Sequence, residues 1–153
     1  MATAIVHIEN LHNNAYVLAP IIEAFFESTE KREKDILLSY LVLPLIIHVE
    51  SNEKIKKSNK RSTIYTIFSD AAIIYGINER VESFKNITNK CLLLSSLEKS
   101  IKIEDDMSVR FIERKVDFTF CDPEQLKSAK KLAKLFNSHD IVEIYRKLGI
   151  TKL

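Results

Sequence analysis

The chain contains only two glycines, Gly76 and Gly149, and three prolines, Pro20, Pro44 and Pro123. A fold rich in tight turns and hairpins draws on many more turn formers than this. The shortage therefore favours helices joined by short polar links. It also excludes the glycine-rich phosphate loops, because neither GxxxxGK[ST] nor GxGxxG can be written with two glycines 73 positions apart. At 153 residues the expected unit is one domain spanning 1–153, with a sizeable core.

Apolar spacing supplies the elements. After Asn13 and Asn14, both good helix starters, Leu18, Ile21, Ile22, Phe25 and Phe26 form one helical face. Pro20 fits if the regular helix begins near it. Ser28–Lys34 reads as a polar link. The run Asp35-Ile-Leu-Leu-Ser-Tyr-Leu-Val-Leu-Pro-Leu-Ile-Ile-His48 is apolar almost all round, which places it mid-domain, and Pro44 predicts a kink or break. Its longest apolar-rich stretch, Ile36–Ile47, has twelve residues, short of the ~18–20 that cross a bilayer. Val49–Arg61 changes character: Lys54, Lys56, Lys57, Lys60 and Arg61 place five cations in eight residues, with Ile55 alone apolar. It reads as an exposed loop.

Ser62–Phe68 suggests a short helix. Ser69 or Asp70 can cap a second, carrying Ile73, Ile74, Ile77, Val81 and Phe84, with Gly76 inside it lacking an evident job. Thr88 can cap a third, Asn89–Lys99, with Leu93, Leu94 and Leu97. Ile101 and Ile103, then Val109 and Phe111, alternate with polar residues about an Asp105–Asp106 turn, which predicts a small β-hairpin. Val116, Phe118 and Phe120 alternate as well. Asp122-Pro-Glu-Gln125 reads as a capping box, Asp122 accepting from the N–H of residue 125. The helix it opens buries Leu126, Ala129, Leu132, Ala133 and Phe136 and turns Lys127, Lys130, Lys131 and Lys134 outward. Ser138 is expected to cap a last helix, with Ile141, Ile144, Tyr145 and Leu148 inward and Gly149 as its left-handed stop. The fold class is thus mainly α: a compact helical domain with a small β-hairpin. The helix–helix–hairpin order from Asp70 to Phe111 also admits a winged helix-turn-helix with residues 89–99 as recognition helix.

Chemistry-bearing residues are sparse. His7, His12, His48 and His139 share no metal spacing such as HExxH and read as structural or surface histidines. Cys91 and Cys121 are too few for a disulfide framework or a zinc site. Cys91 falls in an expected first helical turn, where a thiol pKa can drop, but its leucine neighbours favour a core cysteine. The net charge of +2 argues for no polyanion globally. Locally, Lys54, Lys56, Lys57, Lys60 and Arg61 are the candidate nucleic-acid contacts, and the four lysines of the 123–136 helix form an ordinary solvent face. No catalytic residue, cofactor site or metal site is expected. Met1–Glu9 lacks the pattern of a signal peptide, so cytoplasmic residence is expected, with no membrane partner.

Asn13-Asn14-Ala15-Tyr16, Leu41-Val-Leu-Pro-Leu-Ile-Ile-His48 and Leu148-Gly149-Ile150 together resemble the middle-component family of three-component ABC systems. Asn14 is followed by Ala15 where the family pattern has proline. The resemblance implies a non-enzymatic accessory subunit of a bacterial antiviral defence complex, of the Lamassu type. Its implied partners are an SMC- or ABC-type ATPase and an effector such as a nuclease. DNA would be met through the complex. The alternative is a stand-alone winged-helix DNA-binding regulator.

Overall fold

The computed structural model describes Ala4, residues 14–114 and residues 121–152. His7, His12, the stretch Met1–Glu9 apart from Ala4, and the alternation at Val116, Phe118 and Phe120 lie outside the described residues.

Helix α1 (Ala15–Glu27) starts where the Asn14 side chain accepts the Tyr16 N–H at 2.9 Å. It runs through Pro20 rather than starting near it, so Pro20 is an interior, buried residue. Burial on nearly every side outweighs the one helical hydrogen bond that Pro20 cannot make. The helix lies at the centre of the molecule, packed on α6 (Ile77–Leu97) and α7 (Pro123–Asn137). Phe25 meets Phe26 and Phe136 edge-on, with ring centroids 5.2 and 6.0 Å apart.

A 3-10 turn (Asp35–Leu38) leads into α2 (Ser39–Ile46). Leu41, Val42, Leu43, Leu45 and Ile46 are all fully buried, as an all-round apolar helix must be. The break falls at Ile47–His48, and the chain turns by 103° into α3 (Val49–Lys56). This corrects the expected exposed loop. The first half of the basic segment is a helix, capped by His48 and anchored by the buried Ser51 and Ile55. A helix this polar carries almost no apolar periodicity to announce it.

Thr63 and Thr66 form a capping box for the single turn α4 (Ile64–Ile67), and Asp70 caps α5 (Ala71–Ile74), accepting from Ala72 N–H at 2.9 Å. Gly76 then adopts φ +72°, a left-handed conformation that suits glycine, and ends the helix that the spacing had continued to Phe84. From Ile77 the helix runs unbroken for 21 residues. Thr88 is therefore not a cap but a fully buried interior residue, and no separate helix begins at Asn89. No strong breaker lies between Gly76 and Lys99, so the segment propagates through Asn86–Asn89. The hairpin is present as β1 (Ile101–Ile103) and β2 (Val109–Phe111), antiparallel, with Lys102 opposite Arg110.

Asp122 caps α7, with Pro123 at its first position, but the carboxylate accepts from Glu124 N–H at 2.9 Å rather than from residue 125. Gln125 N–H bonds the Asp122 carbonyl instead. Ser138 closes α7 rather than opening the next helix; Asp140 precedes α8 (Ile141–Leu148). Gly149 stops α8 at φ +72°, with the Ile150 N–H returning to the Tyr145 carbonyl at 3.1 Å. The described fold is mainly α: eight helices and a two-stranded hairpin around one apolar cluster.

Candidate functional site

Three polar clamps fix the links between helices. Arg80, on α6, donates to the Pro44 carbonyl at 3.1 Å and also to the Ile73 carbonyl. One guanidinium thereby serves the last turns of both α2 and α5, whose final carbonyls have no helical partner. Arg32 does the same for α7, bonding the carbonyls of Phe136 at 3.1 Å and Asn137 at 3.3 Å. Asp35 is fully buried and accepts from Arg32 N–H at 3.0 Å and Val109 N–H at 2.7 Å, docking the hairpin onto the 3-10 turn. Burial raises its pKa against those two hydrogen bonds. Glu23, also buried, is raised for the same reason and accepts from Ser95 Oγ at 2.7 Å.

The groups with catalytic potential are similarly committed. Cys91 is buried in mid-helix, not in a first turn; burial, with Glu23 nearby, pushes its thiol up to about 12. Burial raises Cys121 to about 11. His48 Nδ1 meets Ser51 Oγ at 2.8 Å and its Nε2 lies 3.1 Å from Glu50. Desolvation and the nearby Arg80 charge lower its pKa. His139 contacts Glu143 at 3.1 Å, and Glu143 also accepts from the Tyr65 hydroxyl. Asp105 and Asp106 are exposed in the hairpin turn, where Asp106 accepts from both the N–H and hydroxyl of Ser108. Among the described residues, no group of three His, Cys, Asp or Glu side chains could hold a metal ion. Nor is any single described helix long and apolar enough to cross a membrane.

The five basic candidates separate into two sets. Lys54 and Lys56 lie on α3 and face carboxylates, Asp70 at 3.9 Å and Glu53 at 3.7 Å. Lys57, Lys60 and Arg61 follow the helix, with no carboxylate within 4.0 Å among the described residues. Their loop is a tied turn. Asn59 Oδ1 accepts the Arg61 N–H and Ser62 Oγ accepts the Asn59 N–H, each at 2.9 Å.

That turn faces the C-terminal half of α7 across a groove of about 380 Å³, lined by Lys60, Lys131, Lys134, Ser62 and Ser138 among others. The lysine face of α7 divides as well. Lys127 pairs with Glu124 at 3.4 Å and Lys130 with Glu27 at 3.3 Å. Lys131 donates to the Lys56 carbonyl at the end of α3, where a cation complements the helix dipole. Lys134 is exposed and has no ion-pair partner among the described residues. The sequence gives no sign of this meeting, because the two basic stretches lie some seventy residues apart and only packing joins them. Arg80 was missed for a related reason: a lone arginine inside a helix looks like a surface residue.

The family model for the ABC-three component (ABC-3C) system Middle Component 3 matches residues 2–152. The chain belongs to that family. The match takes in the whole described fold, and with it the three segments that carried the resemblance. In this middle component residues 41–46 are buried in the core, and His48 caps the helix after the bend. Gly149, within the Leu148–Ile150 segment, stops the last helix. No curated protein and no solved structure matches the chain. Family membership makes this an accessory subunit of a multi-component ABC system, working with the other components.

Proposed function

We propose that this middle component is a non-catalytic assembly subunit of a cytoplasmic, Lamassu-type antiviral defence complex. It binds an SMC- or ABC-type ATPase and couples DNA sensing to an effector such as a nuclease, as a single domain and without a cofactor or a membrane. The observation that carries this reading is the family match across residues 2–152. The local chemistry agrees with it. The thiols are buried and protonated, and the described histidines are engaged as a cap and a surface contact. The basic segment Lys54, Lys56, Lys57, Lys60 and Arg61 is where the subunit would meet DNA held by the complex.

The test is co-expression with the neighbouring genes and purification through a tag on this chain. Elution of the ATPase and the effector with it is the expected result; elution of the chain alone overturns the reading. A second reading, the stand-alone winged-helix regulator, has in its favour that α6 leads straight into the hairpin. It requires sequence-specific duplex binding by the isolated chain, lost when Lys56, Lys57, Lys60 and Arg61 become alanine. An unshifted gel ends it.

A further inference from the structure

We propose that the groove between the 57–62 turn and the C-terminal half of α7 is a sequence-neutral seat for a nucleic-acid phosphate backbone, with Lys60 and Lys134 as its contacting cations. This rests on the reading that the complex engages DNA, and it moves the point of contact. Of the five basic residues singled out in the sequence, only Lys60 lines this groove; its other cations come from a helix some seventy residues further along the chain.

Four features converge. The residues named as lining the groove include three lysines and no carboxylate. Lys131 is held in place by the Lys56 carbonyl, whereas the Lys60 and Lys134 ammonium groups have no protein partner among the described residues. Among the described residues two hydroxyls remain able to donate: Ser62 Oγ accepts from Asn59 and makes no other bond, and Ser138 Oγ makes none. The turn is fixed by its own hydrogen bonds, so little ordering accompanies binding.

The donor set also says what kind of anion fits. Lysines and serines are ordinary donors to phosphate oxygens, and among the described residues lining the groove there is no arginine to bring a rigid planar fork to a base edge. The amide of Asn59, which could pair bidentately with adenine, has its oxygen occupied by the Arg61 N–H. Glu30 lies with Lys134 and Ser138 beside a neighbouring depression and marks an acidic limit to the strand's path.

The full-length chain is titrated into a fluorescent duplex of random sequence, between 50 and 200 mM salt, alongside Lys60→Ala/Lys134→Ala. The expected result is weak, sequence-independent binding. Loss of the pair is expected to weaken it about tenfold at the lower salt and to reduce the slope of log affinity against log salt by about 1.8, two phosphates' worth. Lys60→Arg/Lys134→Arg, which keeps both charges, retains binding, and Lys127→Ala, which removes a paired lysine, leaves the slope unchanged. Equal slopes for the wild type and the alanine pair overturn the proposal. So does displacement by inorganic phosphate at matching phosphate concentration, which marks a small-anion site, or an effect of the pair confined to ATPase capture, which marks a protein contact. Capture of the ATPase by the alanine pair separates the two readings: its failure in the wild type too counts against assembly, and not against the groove.

Discussion

Leu41–His48 and Lys54–Arg61 lie five residues apart and are put to opposite uses. In the first, the fold takes up nearly every side chain: Leu41, Leu43 and Leu45 vanish into the core, Arg80 binds the Pro44 carbonyl, and His48 caps the next helix. In the second, the fold takes up Ile55 and ties down Lys54 and Lys56, then leaves Lys57, Lys60 and Arg61 outside. The first is therefore a stability segment and the second is divided within itself. The difference shows that a conspicuous motif and a binding surface need not coincide. A motif made of leucines marks how the subunit folds; the exposed charges beside it are what a partner can reach.

The contrast is broken most easily at its apolar end. Leu43→Ala is expected to lower the unfolding free energy by about 2–5 kcal/mol, the cost of a fully buried leucine with a residual cavity. Chemical denaturation measures it. A loss under about 1 kcal/mol would show that the segment can close over the gap and is less tightly packed than its complete burial implies.

Arg80→Met keeps the apolar stem and removes both hydrogen bonds to the Pro44 and Ile73 carbonyls. The expected loss is about 2–3 kcal/mol, as two carbonyls lose a charged donor. Arg80→Lys should restore only part of it, because a point ammonium cannot span two carbonyls as the planar fork does. Full restoration would reduce the clamp to a single useful bond.

His48→Asn tests the bend. Asparagine is also a good helix cap, so stability at neutral pH should change little. The variant should differ in its pH profile. The folded pKa of His48 lies below the ordinary 6.5, so the unfolded chain binds the proton more readily. Its contribution is complete above about 6.5 and is lost as pH falls through the lowered folded value. Wild type minus variant should be flat above that pH and slope downward below it. Glu23 and Asp35, raised by burial, pull the other way but are common to both proteins and cancel. A flat difference at every pH would mean that the imidazole titrates in the fold as it does in the open chain.

Much of the apolar half was legible beforehand, and little of the polar half. The inward positions of α1 and α7 followed from spacing alone, because burial of Ile21, Phe25, Leu132 and Phe136 imposes a helical period on the chain. Gly149 was legible as a stop because it follows the last inward leucine. The helix α3 was not, since one buried isoleucine and one buried serine leave no period to detect. Thr88 looked like a cap because threonine often is one; burial against neighbouring helices overrode that preference. Gly76, a puzzle within an assumed helix, became the break that the backbone needed. The groove depends on tertiary packing of α3 against α7, which no local pattern records.

The smallest effects lie inside the basic segment and decide whether it is truly divided. Lys131→Ala removes the donor at the end of α3 and should cost about 0.5–1 kcal/mol, a helix-terminus contribution. Lys54→Ala and Lys56→Ala should each change stability by less than about 0.5 kcal/mol, because their pairs with Asp70 and Glu53 are long and solvated. Thermal melts at low and high salt measure all three, and the two α3 substitutions should converge on the wild type as salt screens their pairs. Should Lys54→Ala cost more than Lys131→Ala, the Lys54–Asp70 pair would be holding α3 against the start of α5. The basic segment would then be structural as far as Lys56, and the charge left for a partner would begin only at Lys57.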